Sequence, residues 1–471
     1  MLGNGLGMLS GLISYPILTR VLEPADYGLM GLVSSVLLGA VAFGKLGIQN
    51  SLIRFFAEAK REGRLATLAK TYITTGLAAA GVAALVLSAG AWTLGELGAI
   101  GDRLAFVLVL TSPLALIRTQ HSLAVNFLRA DERSRTWSTV DVVHRYACLA
   151  FGLLGALYVI GGVEGFFTGL VTAESLMLVV AMIAARKVVP LAVGMPDRKL
   201  LTAAVSFGLP LLFFELTNIV LAFGDRVLIL EMLGEAPLGH YTAAYNLSDT
   251  LQKFILLPIS LAVQPMYMRL WAEQGREATQ AFLSKAGAFF VLVATPAIFG
   301  VIAVREPLLI LLAGKAYADG VDVIPLAFGG YVLYGSYAVF GAGLFIHKQT
   351  LRLAIATAVA CVANLGLNLL LIPKYGILGA AIATAISYVG LMVVLTIMSF
   401  RTLRFSLPWA YMLRIFAFGA AMYGCIAYIE LGHVAATLAV RILVGAVVFL
   451  GLALGVDARG RQLVREVLRP G

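Results

Sequence analysis

Long apolar runs alternate with short polar segments along nearly the whole chain. A helix needs about 20 mostly apolar residues to cross a bilayer, and this pattern predicts fourteen such helices. Their predicted bounds are 2–19, 28–53, 67–92, 104–127, 138–160, 165–185, 203–224, 239–268, 284–304, 323–346, 352–372, 376–399, 409–430 and 437–456. Gly or Pro interrupts several of them, which is tolerated where neighbouring helices or water satisfy the freed backbone groups. The pattern therefore predicts an all-α integral membrane protein.

A degenerate repeat relates two parts of this pattern. The segment LTRVLEPADYG at 18–28 is echoed by ILEMLGEAPLG at 229–239. In both copies an apolar helix meets a short polar turn with a proline before the next apolar span. A repeated hairpin predicts two similar halves, and in membrane transporters such halves suggest a central cavity. We therefore expect an N-terminal lobe of six spans over 1–190, a C-terminal lobe of six spans over 191–400, and two additional spans with a cytoplasmic tail over 401–471.

Composition supports the membrane prediction, because 60% of the residues are hydrophobic, only 13% are charged, and the mean hydropathy is +0.93. Cys148, Cys361 and Cys425 all lie in apolar spans without a C-x-x-C pair. We expect them to be packing residues, and we expect neither disulfides nor a metal site. The chain begins directly in an apolar run without a basic leader, which we interpret as a retained first helix and not as a signal peptide.

Lysine and arginine are concentrated in alternate loops, such as those at 60–70, 129–135 and 186–199, whereas the intervening loops hold few. Positive charge in loops marks the cytoplasmic side of a membrane protein. This alternation predicts that both termini are cytoplasmic. The net charge of +10 is then mostly a signal of topology. Nucleic-acid binding would need a clustered basic surface on a folded domain, so no nucleic-acid partner is expected.

Charged residues within the predicted spans are the candidate functional groups, because a charge at mid-bilayer costs at least about 2.5–3.5 kcal/mol. Asp141 with Arg145, and Asp249 with Lys253, are four residues apart and share a helix face. Each pair is interpreted either as a neutralised internal pair or as part of a cavity. The acidic candidates for coupling to a proton or sodium gradient are Asp141, Glu174, Glu215 and Asp249.

Three cations, Lys45, Arg54 and Arg118, have no acid at helical spacing. The alternative for Lys45 and Arg54 is a side chain that extends to the membrane interface, and polar neighbours of Arg118 suggest a wet face. Unpaired cations in a cavity suit an anionic substrate such as a phosphate. The chain has no G-x-x-x-x-G-K-[ST] loop and no H-E-x-x-H motif. We therefore expect no catalytic residue, no metal and no bound cofactor, and transport energy from ion gradients, membrane potential or the substrate's own gradient.

Three segments carry a family resemblance: LTRVLEPADYG, GDRVLILEMLGEAPLGHYTAAYNL at 224–247, and IPKYGILGAAIATAISY at 372–388. Together, in this order, they resemble the Wzx-type oligosaccharide flippases of the multidrug/oligosaccharidyl-lipid/polysaccharide exporter superfamily. The resemblance implies two six-helix lobes in a V around a central cavity, followed by two C-terminal helices. It also implies alternating access in the bacterial inner membrane, with flipping of undecaprenyl-diphosphate-linked oligosaccharide from the cytoplasmic to the periplasmic leaflet.

The resemblance further implies that basic cavity residues bind the substrate's diphosphate or acidic sugars. Mapped onto this chain, these are Arg20, Lys45, Arg54 and Lys253, and the charges within spans add Arg118 and Arg145 as candidates. Expected partners are the lipid-linked oligosaccharide, the bilayer, and the polymerase and glycosyltransferases of surface-polysaccharide biosynthesis. The alternatives are a drug/cation antiporter, which needs acidic cavity residues, a lipid II flippase, and a membrane-embedded glycosyltransferase or polymerase. The last is disfavoured because no long external loop carries a carboxylate cluster.

Overall fold

The structure is a computed structural model that describes the backbone of residues 2–457 and 461 and the side chains of residues 10–457 and 461. Every regular element of this part of the chain is helical, and it contains no strand. The helices are α1 (Leu2–Val21), α2 (Pro24–Lys45), α3 (Gln49–Arg61), α4 (Leu65–Glu96), α5 (Asp102–Thr111), α6 (Pro113–Ala130), α7 (Ser134–Tyr158), α8 (Gly162–Ala185), α9 (Arg198–Phe223), α10 (Asp225–Leu233), α11 (Glu235–Ile255), α12 (Leu257–Glu273), α13 (Gly275–Ala313), the 3-10 helix Lys315–Gly320, α14 (Val323–Gly335), α15 (Tyr337–Phe340), α16 (Ala342–Ile346), α17 (Thr350–Tyr375), α18 (Ile377–Thr402), α19 (Trp409–Ile426) and α20 (Val434–Gly455).

The helices lie where the hydropathy pattern predicts spans. Among the described residues, twelve helical segments are long and apolar enough to cross a membrane. Helices α11 and α12, bent by 47°, form a thirteenth if they are one span, and α1 coincides with the first predicted span. The prediction of an all-α, multi-pass membrane protein is therefore confirmed, with fourteen as an approximate count.

The chain divides into two compact units, one ending at Val227 and the other beginning at Leu228. Helix α9 packs within the first unit, against α2, α3 and α4. In the second unit α19 and α20 pack on α13, around Ile415, Met422 and Phe449. The lobe boundary near residue 190 and the separate segment 401–471 stay predictions, and most of the predicted tail lies outside the described residues.

Both copies of the repeated hairpin form a helix, a short turn and a second helix, as predicted. In the first copy α1 ends at Val21 and Pro24 occupies the first position of α2, where its fixed φ suits a helix start and its missing N–H costs nothing. In the second copy α10 ends at Leu233, and Gly234 has a φ of +95° before α11 begins. Glycine reaches this conformation at little steric cost, which explains the glycine at that turn.

Glycines bring α7 and α8 into close contact in the first unit. Gly155 and Gly165 face each other so closely that a Cβ on either would collide with the opposite backbone, and a Cβ at Gly169 would collide with α7. Small residues allow such close helix crossings in membranes. The crossing is important because Cys148 on α7 and Glu174 on α8 lie on the same pair of helices.

A single arginine joins the first turns of three helices in this unit. Arg103 Nε in α5 lies 2.6 Å from Glu164 Oε1 in α8, and Arg103 Nη2 also donates to Asp26 Oδ1 in α2. Asp26 belongs to the LTRVLEPADYG segment, so this acidic position of the motif has a structural role. Acidic side chains in the first turn also interact favourably with the helix dipole.

The turn after α6 holds a carboxylate that two cations share. Asp131 accepts hydrogen bonds from Lys60 Nζ at 2.6 Å and from Arg133 Nε at 2.9 Å. These two bonds favour the charged form and hold the pKa of Asp131 below its usual range. Loop segments 60–64 and 129–133, both rich in basic residues, therefore meet at one carboxylate.

In the second unit, polar residues within the membrane join α17 to α18. Asn364 and Asn368 are fully buried. Asn364 Nδ2 donates to Thr384 Oγ1 at 3.2 Å, and Asn368 Nδ2 donates to Asn364 O at 2.9 Å and Oδ1 at 3.0 Å. The Asn364 amide thus joins α17 to α18, whereas the Asn368 amide bonds to Asn364 within α17.

Candidate functional site

Lys45 is the last residue of α2, at a break between two helices of the first unit. It is half-buried, and it has no hydrogen-bond or ion-pair partner among the side chains of residues 10–457. The break follows directly, because Leu46 has a φ of 47° and Gly47 a φ of +66°. Helix α9 packs against it through Gly208, where a Cβ would lie 2.6 Å from the carbonyl carbon of Gly47. The ammonium group is therefore held at a backbone break that a neighbouring helix packs against.

Arg54 lies one turn beyond this break, on α3. Its side chain is exposed, and its guanidinium carbon lies 5.9 Å from the ring centroids of both Phe55 and Phe207. No acidic side chain of the described chain pairs with it. Contacts with ring faces orient a guanidinium but do not neutralise it. Lys45 and Arg54 thus keep the unpaired charge that the sequence predicts.

Arg118 differs from these two cations, and the prediction that it is unpaired is wrong. Its Nε and Nη2 atoms each lie 2.8 Å from Glu174 Oε1, and the Glu174 side chain is only 3% exposed. The partner comes from α8, whereas spacing along a sequence reveals only partners on the same helix. The neighbouring Gln120 and His121 are buried, so the predicted wet face is also wrong at these two residues.

The two pairs with i,i+4 spacing form as ion pairs. Arg145 Nε lies 2.9 Å from Asp141 Oδ2 on α7, and Lys253 Nζ donates to Asp249 Oδ2 on α11. Both cations are about half exposed, and ion pairs of exposed side chains contribute little to stability. Whether either pair binds substrate stays a prediction.

The remaining two candidates lie on separate helices. Arg20 is exposed in the last turn of α1. Glu215 is half-buried on α9, and its carboxylate has no partner among the residues that the structure describes. Of the four acidic candidates, Glu215 therefore differs from Asp141, Glu174 and Asp249, each of which is ion-paired.

Arg226 is a buried residue that the hydropathy pattern assigned to an external loop. Helices α9 and α10 form one apolar segment, Arg198–Leu233, so the span extends beyond the predicted end at 224. Arg226 Nη1 donates to Gly31 O and to Ser35 Oγ, both at 3.0 Å, and its guanidinium lies 4.7 Å from the Phe223 ring. The signal that could have revealed it is the apolar run VLILEML immediately after it.

Gln49, the first residue of α3, connects this helix to α6. Gln49 Oε1 accepts from Ser122 Oγ at 2.7 Å and from Asn126 Nδ2 at 3.0 Å, and Gln49 Nε2 donates to Thr119 O at 3.4 Å. Two side chains and one backbone carbonyl of α6 thus bind Gln49 directly. At the α2–α3 break, Lys45 and Arg54 have no acidic partner among the described side chains.

Solved structures of similar fold define the class of protein. A lipid II flippase MurJ in an inward closed conformation matches with a TM-score of 0.79 at 15% sequence identity, over 99% of both chains. An inward-facing multidrug resistance MATE family transporter of the MOP superfamily matches with a TM-score of 0.66 at 16% identity, over 83% of this chain and 93% of the other. The chain is therefore a multi-pass helical membrane protein with a MurJ- and MATE-like fold.

Sequence comparison gives the particular family. The model of the polysaccharide biosynthesis protein family matches residues 1–271, more than half of the chain, and the protein belongs to this family. The resemblance stated from the three motifs is thereby confirmed at the level of the family.

Two curated relatives match shorter segments. A probable low-salt glycan biosynthesis flippase of Haloferax volcanii is 24% identical over 164 residues, 35% of this chain and 34% of the relative. An uncharacterized membrane protein of Methanocaldococcus jannaschii is 23% identical over 196 residues, 41% of this chain and 38% of the relative. The aligned part thus spans little more than a third of either relative.

Proposed function

We propose that the protein is a flippase that moves an undecaprenyl-diphosphate-linked oligosaccharide from the cytoplasmic to the periplasmic leaflet. The observation that carries this proposal is the pair of cations at the α2–α3 break, Lys45 and Arg54, which have no acidic partner in the described chain. A diphosphate offers them charge-assisted hydrogen bonds, which are about twice as strong as neutral ones. Membership of the polysaccharide biosynthesis family supports a glycan as the rest of the cargo.

An apolar groove in the second unit supports a lipid-borne substrate. It has a volume of about 610 Å³ and lies between α11, α13, α19 and α20, with Phe289, Leu292 and Phe449 among its lining residues. Its only charged lining residue is Arg441, whose guanidinium donates to Ile429 O at 2.9 Å and to Ala303 O at 2.5 Å. With that charge directed to carbonyl groups, the groove suits part of a polyprenyl chain.

Energy coupling is assigned within this proposal to Glu215. Its carboxylate has no ion-pair partner among the described residues, so a proton or sodium ion would not have to displace an arginine or a lysine there. We place the protein in the bacterial inner membrane with both termini cytoplasmic, and we propose alternating access. The polymerase and glycosyltransferases of surface-polysaccharide biosynthesis are the proposed partners. A drug/cation antiporter would need free acids, whereas three of the four candidates are ion-paired.

Lys45→Ala and Arg54→Ala test the proposal in proteoliposomes loaded with labelled undecaprenyl-diphosphate oligosaccharide. A hydrogen bond to a charged group contributes roughly 1.5–3 kcal/mol, so each variant should lose flipping by about 10- to 100-fold. Lys374→Ala, an exposed cation at the end of α17, is the matched control and should retain full activity.

Parallel assays with lipid II and with a cationic dye separate the alternatives. Transport of lipid II at an equal rate would assign the protein to the lipid II flippases, and transport of the dye alone would assign it to the antiporters. Unchanged flipping of the oligosaccharide by both single variants would remove the α2–α3 break from the mechanism.

A further inference from the structure

Three side chains with metal-binding atoms converge between α7 and α8, away from the α2–α3 break. His144 and Cys148 are four residues apart on one face of α7, and Glu174 faces them from α8. One ligand atom from each of the three lies within 4.8 Å of the other two. His144 Nε2 and Glu174 Oε2 are 3.7 Å apart. The glycine crossing of α7 and α8 makes this convergence possible.

Several atoms of this cluster are buried without a hydrogen-bond partner. They are Glu174 Oε2, His144 Nε2 and, on the adjacent helix α6, His121 Nε2. A distance of 3.7 Å is too long for a hydrogen bond, and burying a polar group without a partner is energetically unfavourable. Both Glu174 and His121 are more than nine-tenths buried, at 3% and 8% exposure. The cluster therefore contains several buried polar atoms without a hydrogen-bond partner.

Arg118 determines which carboxylate oxygen is available. Both of its contacts are to Glu174 Oε1, which leaves Oε2 directed toward His144. An outer group that fixes the orientation of a ligand in this way is typical of metal centres. Packing alone does not explain an arrangement in which one oxygen receives both contacts and the other receives none.

We propose that His144, Cys148 and Glu174 form a binding site for Zn²⁺ or a similar divalent transition-metal ion. Zinc takes one nitrogen, sulfur or oxygen ligand from each side chain and prefers tetrahedral sites. At bond lengths of about 2.0–2.1 Å a tetrahedral ion separates nitrogen and oxygen ligands by roughly 3.3–3.4 Å. The 3.7 Å between His144 Nε2 and Glu174 Oε2 is close to this spacing, and the three ligand atoms, all within 4.8 Å of one another, would move inward on binding. A water molecule would complete the tetrahedral site.

The donor set selects the class of ion. Magnesium, calcium and sodium prefer oxygen ligands, and this cluster offers a single free carboxylate oxygen. A thiolate and an imidazole instead favour zinc, cobalt or nickel. Binding would convert the Cys148 thiol to a thiolate, with its proton released to solvent. Cys148 then has a role beyond the packing function expected from the sequence.

The bound ion would link α7 to α8 through two partly buried side chains of α7 and the buried carboxylate of α8. The site is independent of the proposed substrate residues, because neither Lys45 nor Arg54 takes part in it. Metal binding can therefore be tested without any transport assay.

Cobalt absorption spectroscopy on the purified, chelator-treated full-length protein is the first test. Added Co²⁺ should give tetrahedral d–d bands and a thiolate-to-cobalt charge-transfer band, saturating at one ion per chain, and Zn²⁺ should remove both. Cys148→Ser should abolish the charge-transfer band, whereas Cys361→Ser, at a buried free cysteine of the second unit, should retain it. Arg118→Lys should weaken binding by about 10- to 100-fold, as expected for an outer-shell group.

Thiol protection gives a second measurement that does not depend on the stability of a ligand variant. In the Cys361→Ser/Cys425→Ser double variant, Cys148 is the one remaining cysteine of the sequence. Zn²⁺ should slow its reaction with N-ethylmaleimide by at least about tenfold, if the thiolate binds zinc. Adding His144→Gln should remove this protection.

Absence of a cobalt–thiolate band in the unmodified protein would overturn the proposal, as would equal labelling rates with and without Zn²⁺. Retention of the band in Cys148→Ser would equally exclude this cluster as the site. Any of these results would mean that the buried polar atoms of the cluster bind water or share a proton instead of a metal ion.

Discussion

Two regions of the first unit keep cations inside membrane helices in opposite ways. At the α2–α3 break, Lys45 and Arg54 have no acidic partner in the described chain and are at least partly open to solvent. Between α6 and α8, Arg118 is compensated by a carboxylate that is 3% exposed. A cation is thus paired with a carboxylate of the protein in one region and has no acidic partner among the described residues in the other. A charged residue within a span is therefore a candidate for function only when no residue on another helix pairs with it.

The comparison also separates stability from transport. Removing one member of a buried pair leaves an uncompensated charge and is strongly destabilising. Removing Lys45 or Arg54, which have no acidic partner among the described residues, leaves no carboxylate without its counter-charge. Variants in the two regions should therefore fail for different reasons, and protein abundance should distinguish them.

The largest expected effect on the free energy of unfolding is at the Arg118–Glu174 ion pair. Glu174→Leu leaves Arg118 without its carboxylate and should lower the free energy of unfolding by about 3–5 kcal/mol, whereas Lys45→Ala should change it by less than about 0.5 kcal/mol. The measurement is denaturation of chelator-treated protein in detergent. Combining Glu174→Leu with Arg118→Met removes both charges and should restore most of the loss. An equally unstable double variant would show that packing, not charge, sets the cost.

An intermediate effect is expected where α9 packs against the break beside Lys45. Gly208→Ala would place a Cβ against the Gly47 backbone and should cost about 1–3 kcal/mol, the usual range for overpacking. Gly39→Ala on α2 is the matched control, because a Cβ there meets nothing within 4 Å. It should be neutral or stabilising by up to about 1 kcal/mol. Thermal unfolding of the two variants measures the difference, and equal melting temperatures would contradict the close contact.

The smallest effect on the free energy of unfolding is expected at Asp131, whose side chain is 13% exposed and whose partners Lys60 and Arg133 are about half exposed. Its two cations lower its folded-state pKa. Its contribution to the stability of the fold is therefore present above the unfolded-state pKa of about 3.9, and it is lost as the pH falls through the folded-state pKa. Asp131→Asn should cost less than about 1 kcal/mol at neutral pH, because Lys60 and Arg133 are largely solvated.

Unfolding measured between pH 3 and pH 7 tests this prediction. The variant should lose part of the acid sensitivity of the unmodified protein below about pH 4. An unchanged pH profile would mean that the bonds seen at this turn do not persist in solution.

Helix positions followed from the sequence because each apolar run is long enough to specify a span by itself. The repeated turn was also predictable, since Pro24 and Gly234 specify local backbone geometry. Side-chain pairing was predictable only within a helix: Asp141–Arg145 was found, whereas Arg118–Glu174 was missed because its partner is 56 residues away. Arg226 was missed for a related reason, as a charge after an apolar run looks like a loop until the next apolar segment is added to the same span.

Arg103 has a consequence for the order in which the protein assembles. Its partner Asp26 is synthesised 77 residues before it, and its partner Glu164 61 residues after it. During synthesis the arginine can contact only the first of these until α8 has emerged. A chain truncated before Gly162 would therefore contain five predicted spans, but Arg103 would have Asp26 without Glu164. The ion pairs of Arg103 with both acids can thus connect α2, α5 and α8 only after α8 has been synthesised.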